Sequence, residues 1–135
     1  MTKEDRERLL KDLGGRLPYG VKILDIPANV VGKLFLISTT DTVQYETADD
    51  TGIQTLHNIK PYLLPLSSMT EEQKREYNML LTDIPTYEYE GGDIVTVFET
   101  YDNWMSIDYL IANHFDYRYL IEDGLAIDAT GLNIY

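Results

Sequence analysis

The stretch VKILDIPANVVGKLFLISTTDTVQYETADDTGIQTLHNI, residues 21–59, decides the fold class of this 135-residue chain. VKILDI (21–26) and VGKLFLISTT (31–40) are rich in β-branched and aromatic residues, which favour a pleated surface. TVQYET (42–47) sets Val43, Tyr45 and Thr47 against Thr42, Gln44 and Glu46, the alternation of a half-buried strand. Asp49 to Gly52 supplies a turn into IQTLHNI (53–59), a fourth strand. Every connection is too short for a parallel crossover, so antiparallel neighbours follow, in a sheet with one wet face.

Toward the N-terminus, residues 2–13 place Leu9, Leu10 and Leu13 on one stripe with charge elsewhere, a short amphipathic helix for which Gly14 is a suitable C-cap. Downstream, KPYLLPLSSMTEEQKREY (60–77) is structural punctuation followed by a helix start. Pro61 ends the strand run, and its spacing from Pro65 does not match the P-x-x-P ligands of polyproline grooves. Thr70 and Gln73 have capping-box spacing, with Glu71 and Glu72 at the positive end of the helix dipole, worth about 1 kcal/mol as a helix start. Tyr77, Leu80, Leu81 and Ile84 repeat on one face, which predicts an amphipathic helix over 70–83 packed on the sheet.

TYEYEGGDIVTVF (86–98) reads as a hairpin closed by Gly91-Gly92. Its register sets Tyr89 opposite Ile94 and Tyr87 opposite Thr96 on one side, with Glu90 beside Asp93 and Glu88 beside Val95 on the other. Trp104, Ile107, Ile111 and Phe115 predict a helix over 102–113. Asp116 then N-caps a second helix with Tyr117, Leu120 and Ile121 on one face and Gly124 as its stop. The pair is not a DNA-reading helix-turn-helix, because YRYLIED offers one cation where a recognition helix needs several. The expected fold is α+β: an antiparallel sheet or small, partly closed barrel of about four strands plus a hairpin, packed by about four helices, in one domain over 1–135.

The chain has no cysteine and only two histidines, His57 and His114, which argues against disulfides and against a zinc site of the usual ligands. MTKEDRERLLKDL alternates charge where a signal peptide needs an apolar run, and no stretch approaches the ~20 apolar residues of a membrane span. A soluble, unexported, cytoplasmic protein is expected. Formal net charge is −12, unevenly placed: residues 1–22 carry six Lys/Arg against four acids, whereas from Asp83 onward there are eleven acids and one cation, Arg118. Such a surface repels nucleic-acid phosphates and anionic lipid and suits a protein partner with a basic surface.

Ser67 and Ser68 lack the G-x-S-x-G frame and a nearby base, so a loop role is expected. Asp49 to Gly52 lacks the alternating ligands of a calcium loop, and neither glycine pair stands in a phosphate-binding frame. No metal or cofactor is expected. His114 and Asp116, near Asn113 and Tyr117, are the one histidine–carboxylate constellation, and they define an alternative: a small hydrolase or nucleotide-processing enzyme. The preferred expectation is a non-catalytic binding module whose acidic, tyrosine-rich face uses Glu88, Glu90, Asp93, Glu99, Asp102 and Asp108. Aligned in one exposed stripe, those carboxylates would stand in for phosphates before a DNA-binding enzyme. A third expectation is a minor structural component with its termini or hairpin edge buried in an assembly.

Three blocks, LPYGVK (17–22), IKPYLLPLSSMTEEQKREY (59–77) and NHFDYRYLIEDGLAIDATGLNIY (113–135), carry a resemblance. They resemble a set of small uncharacterised proteins of gut Bacteroidetes and of their phages and mobile elements. The blocks cover both ends and the centre of the chain. The resemblance implies a bacterial or phage cytoplasmic protein, an accessory or defence-related factor, and it carries over no functional residue.

Overall fold

The computed structural model describes the backbone of residues 1–135 and every side chain except those of Tyr89, Glu90, Asp93, Val95, Val97 and Phe98. In chain order its elements are α1 (Lys3–Arg16), β1 (Lys22–Asp25), β2 (Val30–Ile37), β3 (Thr42–Glu46), β4 (Thr51–Thr55), β5 (Ile59–Pro65), α2 (Glu71–Leu80), β6 (Thr82–Glu90), β7 (Asp93–Tyr101), α3 (Trp104–Ala112), β8 (Phe115–Asp116) and β9 (Ile127–Asp128). The fold is α+β with three α-helices, an open seven-stranded mixed sheet ordered β4-β3-β2-β1-β5-β8 with β9 also on β5, and a separate two-stranded β6-β7 sheet. Contacts divide the chain into two compact units, residues 1–68 with 111–135, and residues 69–110.

In the first unit, strand alternation does what the sequence predicts. Val43 and Tyr45 of β3 are buried while Thr42, Gln44 and Glu46 are not, and β1 to β4 pair antiparallel. Leu9 and Leu13 of α1 are wholly buried in one cluster with Val21, Ile23, Leu34 and Val43, each such leucine contributing about 1.5–3 kcal/mol of transfer free energy. Tyr45 lies across two glycines: a Cβ built on Gly32 or on Gly52 would stand 2.3 Å from its ring atoms. Aromatic cover of strand glycines of this kind helps pin the register.

Several expectations are corrected. Helix α1 runs on through Gly14 and Gly15 to Arg16, because the Arg16 guanidinium bonds Asp12 one turn back and the Phe115 carbonyl, ordering that last turn. The left-handed position falls instead at Gly20, with φ 72°. Strand β4 ends at Thr55 and a 3-10 turn over Leu56–Asn58 holds His57, which the alternation pattern had placed in a strand.

Pro61 does not end the strand run; it lies inside β5, which the prolines divide by pairing partner. Ile59–Pro61 pairs antiparallel with β1, Tyr62 and Leu63 pair in parallel with β9, and Leu64 and Pro65 pair in parallel with β8. Proline lacks the N–H a ladder needs, and each proline stands at the last position of a ladder. The sheet is therefore mixed and larger than four strands, and it does not close into a barrel. Its parallel members come from the C-terminal segment, through Leu64 N–H to the His114 carbonyl and Ala129 N–H to the Leu63 carbonyl, both at 2.8 Å.

The second helix expected after Asp116 is absent. Phe115 and Asp116 form β8, and a turn follows in which the Asp116 carboxylate accepts the backbone N–H groups of Arg118, Leu120 and Ile121 at 3.0–3.2 Å. The residue that was to cap a helix caps a loop, since its oxygens are shared among three donors that α-helix geometry would direct elsewhere. Positive φ at His114 (64°) and Tyr119 (60°) keeps the chain out of a helix on both sides.

In the second unit, the Thr70–Gln73 capping box forms in full and starts α2. The helix ends at Leu80, three residues early; none of its residues is fully buried, but Tyr77, Leu80 and Leu81 of the predicted stripe are half-buried while nearly all of the rest of α2 is exposed, and Ile84 belongs to β6. The hairpin has the predicted register from Tyr87↔Thr96 to Glu90↔Asp93 and is longer than 86–98. Gly91 and Gly92, at φ 59° and 90°, take the two left-handed positions of its turn. Asn103 and Ser106 exchange reciprocal bonds at the start of α3, and Asn103 Nδ2 also reaches Thr82 Oγ1. Among the described residues no helix is long and apolar enough to cross a membrane.

Candidate functional site

The net charge is concentrated in one unit. Residues 69–110 carry ten acids against two cations, Lys74 and Arg75, a net of −8, while the other 93 residues hold thirteen acids against nine cations, a net of −4. Strand pairing sorts the hairpin faces. Successive residues alternate, and directly paired residues share a face, so Ile84, Glu88, Glu99 and Tyr101 occupy one face. Asp83, Pro85, Tyr87, Ile94, Thr96 and Thr100 occupy the other. One face is thus acidic at Glu88 and Glu99, and the other presents Tyr87 and Ile94, 72% and 64% exposed.

Of the six predicted interaction residues, Glu88, Glu99, Asp102 and Asp108 are all exposed. The side chains of Glu90 and Asp93 lie outside the described residues. The ladder brings Glu88 and Glu99 to one face about four residues apart, ~13 Å by strand rise. It does not extend that row to Asp102, which follows β7, or to Asp108, on α3.

Several of these carboxylates are paired with phenols, which no sequence spacing announces. Tyr77 donates to Asp102, Tyr101 to Glu99, and Tyr109 to Glu76 at 2.7 Å. Burial, reinforced by Glu76, pushes the Tyr109 phenol up to about 12, and burial with Asp102 raises that of Tyr77. The hydrogen bond to Glu99 raises Tyr101. Tyr77 and Tyr109, with ring centroids 6.3 Å apart, link α2 to α3. These protonated phenols anchor acids without neutralising them, so the unit keeps its charge while gaining order. The tyrosines of the expected contact face therefore also position carboxylates.

His114 and Asp116 are placed in the first unit, and no hydrogen bond joins their side chains among the described contacts. The His114 ring stacks on Tyr135 at 3.5 Å and 7°, with Nδ1 buried and unpartnered among the described residues. Burial, then the positive charges of Arg16 and Lys22, lower its pKa to about 4, so the imidazole is neutral at physiological pH. Asp116 is committed to its three backbone donors. This geometry suits a structural junction: Tyr135 Oη donates to the Tyr62 carbonyl at 2.7 Å and accepts the Lys22 N–H at 3.0 Å.

Beside it lies a buried ion pair that the sequence reading missed. Arg16 and Asp12 are both essentially inaccessible, joined at 2.7 Å, with Arg16 also donating to the Phe115 carbonyl at 2.6 Å and Arg118 lying 3.7 Å from Asp12. Burial raises the Asp12 pKa against the opposing pull of Arg16. Its one sequence signal was the i, i+4 spacing across Gly14-Gly15.

Ser67 lines an open depression of ≈ 280 Å³ with Pro65, Leu66, Asp116, Tyr119, Ile121 and Glu122. Neither histidine lines it, and Ser68 is engaged with the Pro65 carbonyl at 2.7 Å, in keeping with loop roles for both serines. Among the described residues no cluster of three or more His, Asp or Glu is placed to hold a metal ion. No family model, curated protein or solved structure matches the chain.

Proposed function

We propose that the protein is a non-catalytic acidic interaction module that binds a protein partner with a basic surface through residues 69–110. The observation that carries this reading is the net −8 held by those 42 residues, five of whose ten acids lie on the β6-β7 hairpin, which also exposes Tyr87 and Ile94. Carboxylates steer a cationic partner over a Debye length of about 8 Å at physiological ionic strength, while exposed tyrosine and isoleucine supply the apolar contact that holds it. The enzyme alternative built on His114 and Asp116 draws no support from a ring stacked on Tyr135 and a carboxylate bonded to three backbone N–H groups. The resemblance of the three sequence blocks supports a bacterial or phage setting, in the cytoplasm.

Affinity capture from a bacterial host of that kind, at low and at high salt, tests the proposal. Partners rich in Lys/Arg are expected at low salt, reduced both by salt and by the double substitution Glu88→Gln/Glu99→Gln. Capture indifferent to salt and to that double variant would refute it.

A further inference from the structure

The β6-β7 ladder has two outer edges, and they are not equivalent. In a hairpin with a two-residue turn, the pair that closes the turn exchanges both backbone hydrogen bonds, and bonded and non-bonded pairs then alternate along the ladder. The closing pair is Glu90↔Asp93, so Pro85↔Phe98, Tyr87↔Thr96 and Asp83↔Thr100 are non-bonded pairs, whose backbone N–H and C=O groups point outward. Pro85 therefore removes a donor from the outer edge of β6 and blunts it, a common protection of edge strands. The nine-residue β7, DIVTVFETY, contains no proline, and its residues are predominantly strong strand formers. Among the described residues β7 pairs with β6 alone, and no further backbone hydrogen bond reaches the outward groups of Ile94, Thr96 or Thr100.

An isolated two-stranded ribbon is marginal in water and gains from a third strand. No described residue of this one is buried. We infer that the outer edge of β7 accepts an added strand from the partner, an extended segment that alternates basic and apolar residues. The two faces set that alternation. A residue added beside β7 on the face of Glu99 meets that carboxylate, with Glu88 one strand farther on the same face, and its chain neighbours fall beside Ile94 and Thr96, with Tyr87 one strand farther. Main-chain bonds would provide affinity and the alternation would provide register and specificity, as in other strand-addition complexes. The inference rests on the acidic-module reading and adds to it the partner's conformation and its docking edge.

The test uses the full chain and three synthetic peptides: a nine-residue alternating lysine–valine peptide, the same peptide N-methylated at alternate backbone nitrogens, and a composition-matched peptide with its lysines and valines in blocks. The alternating peptide is expected to bind at least tenfold more tightly than the other two and to slow amide exchange at Ile94, Thr96 and Thr100. Thr96→Pro, which removes one outward donor and no intra-hairpin bond, is expected to weaken it at least tenfold. The N-methylated peptide keeps the test decisive if that variant perturbs the hairpin. Equal binding of all three peptides would overturn strand addition and leave the charge-based reading standing. Failure of every basic peptide to bind, even at low salt, would overturn both.

Discussion

Lowering the pH should destabilise the first unit in part through His114. Its ring is stacked on Tyr135 and held neutral, with a pKa lowered to about 4 by burial and by the charges of Arg16 and Lys22. The unfolded chain has its histidine near 6.5, so between roughly pH 4 and 6.5 the unfolded state binds more protons than the folded one. The stabilisation is therefore fully present above about pH 6.5, falls as the medium is acidified, and is gone below about pH 4. A displacement from 6.5 to about 4 corresponds to roughly 3 kcal/mol over the whole window, of which about 2 kcal/mol is lost between pH 8 and pH 5. Urea titrations of the parent and of His114→Asn, at both pH values, isolate this term, because the carboxylate contributions common to both proteins cancel in the comparison. Asparagine tolerates the positive φ of 64° at this position, so the variant removes the imidazole without imposing backbone strain. The parent is expected to lose about 2 kcal/mol more than the variant on acidification. Nuclear magnetic resonance of the two imidazole Cε1 protons gives a direct check. A His114 signal titrating at 6.5 or above, or equal pH slopes for the two proteins, would refute the reasoning.

Arg16→Met should cost about 3–5 kcal/mol in chemical denaturation, because it takes the hydrogen-bonded cation from the buried Asp12 carboxylate and leaves it only Arg118, at 3.7 Å. Asp12→Leu/Arg16→Met should recover most of that loss, and a double variant as unstable as Arg16→Met alone would show that the pair does more than balance its own charge. Gly52→Ala should cost about 1–3 kcal/mol, since its Cβ would meet the Tyr45 ring at 2.3 Å. In the Tyr45→Ala background the same glycine substitution should cost much less, and additive losses would rule out the ring as the cause.

Local chemistry was legible wherever a residue's role depends on its near neighbours in the chain. The Thr70–Gln73 box, the inward Val43 and Tyr45 of β3, and the Gly91-Gly92 register all follow from backbone geometry and period-two alternation, which act over a few residues. The concentration of acids downstream of Asp83 was equally visible, because charge can be counted without knowing where the chain goes.

Only the tertiary structure decided the fate of residues whose partners lie far away. Gly14 and Gly15 became helix because Arg16 found the carbonyl of Phe115, ninety-nine residues on. Pro61 stayed within a strand because neighbours from both ends of the chain share β5 between them. Asp116 carries the signal of a helix cap, yet its oxygens collect donors from a turn that β8 holds in place. In the first two cases, and in the Leu64 N–H to His114 carbonyl bond that anchors β8 ahead of Asp116, long-range hydrogen bonds outweigh a local preference, and such bonds leave no mark on the spacing of neighbouring residues.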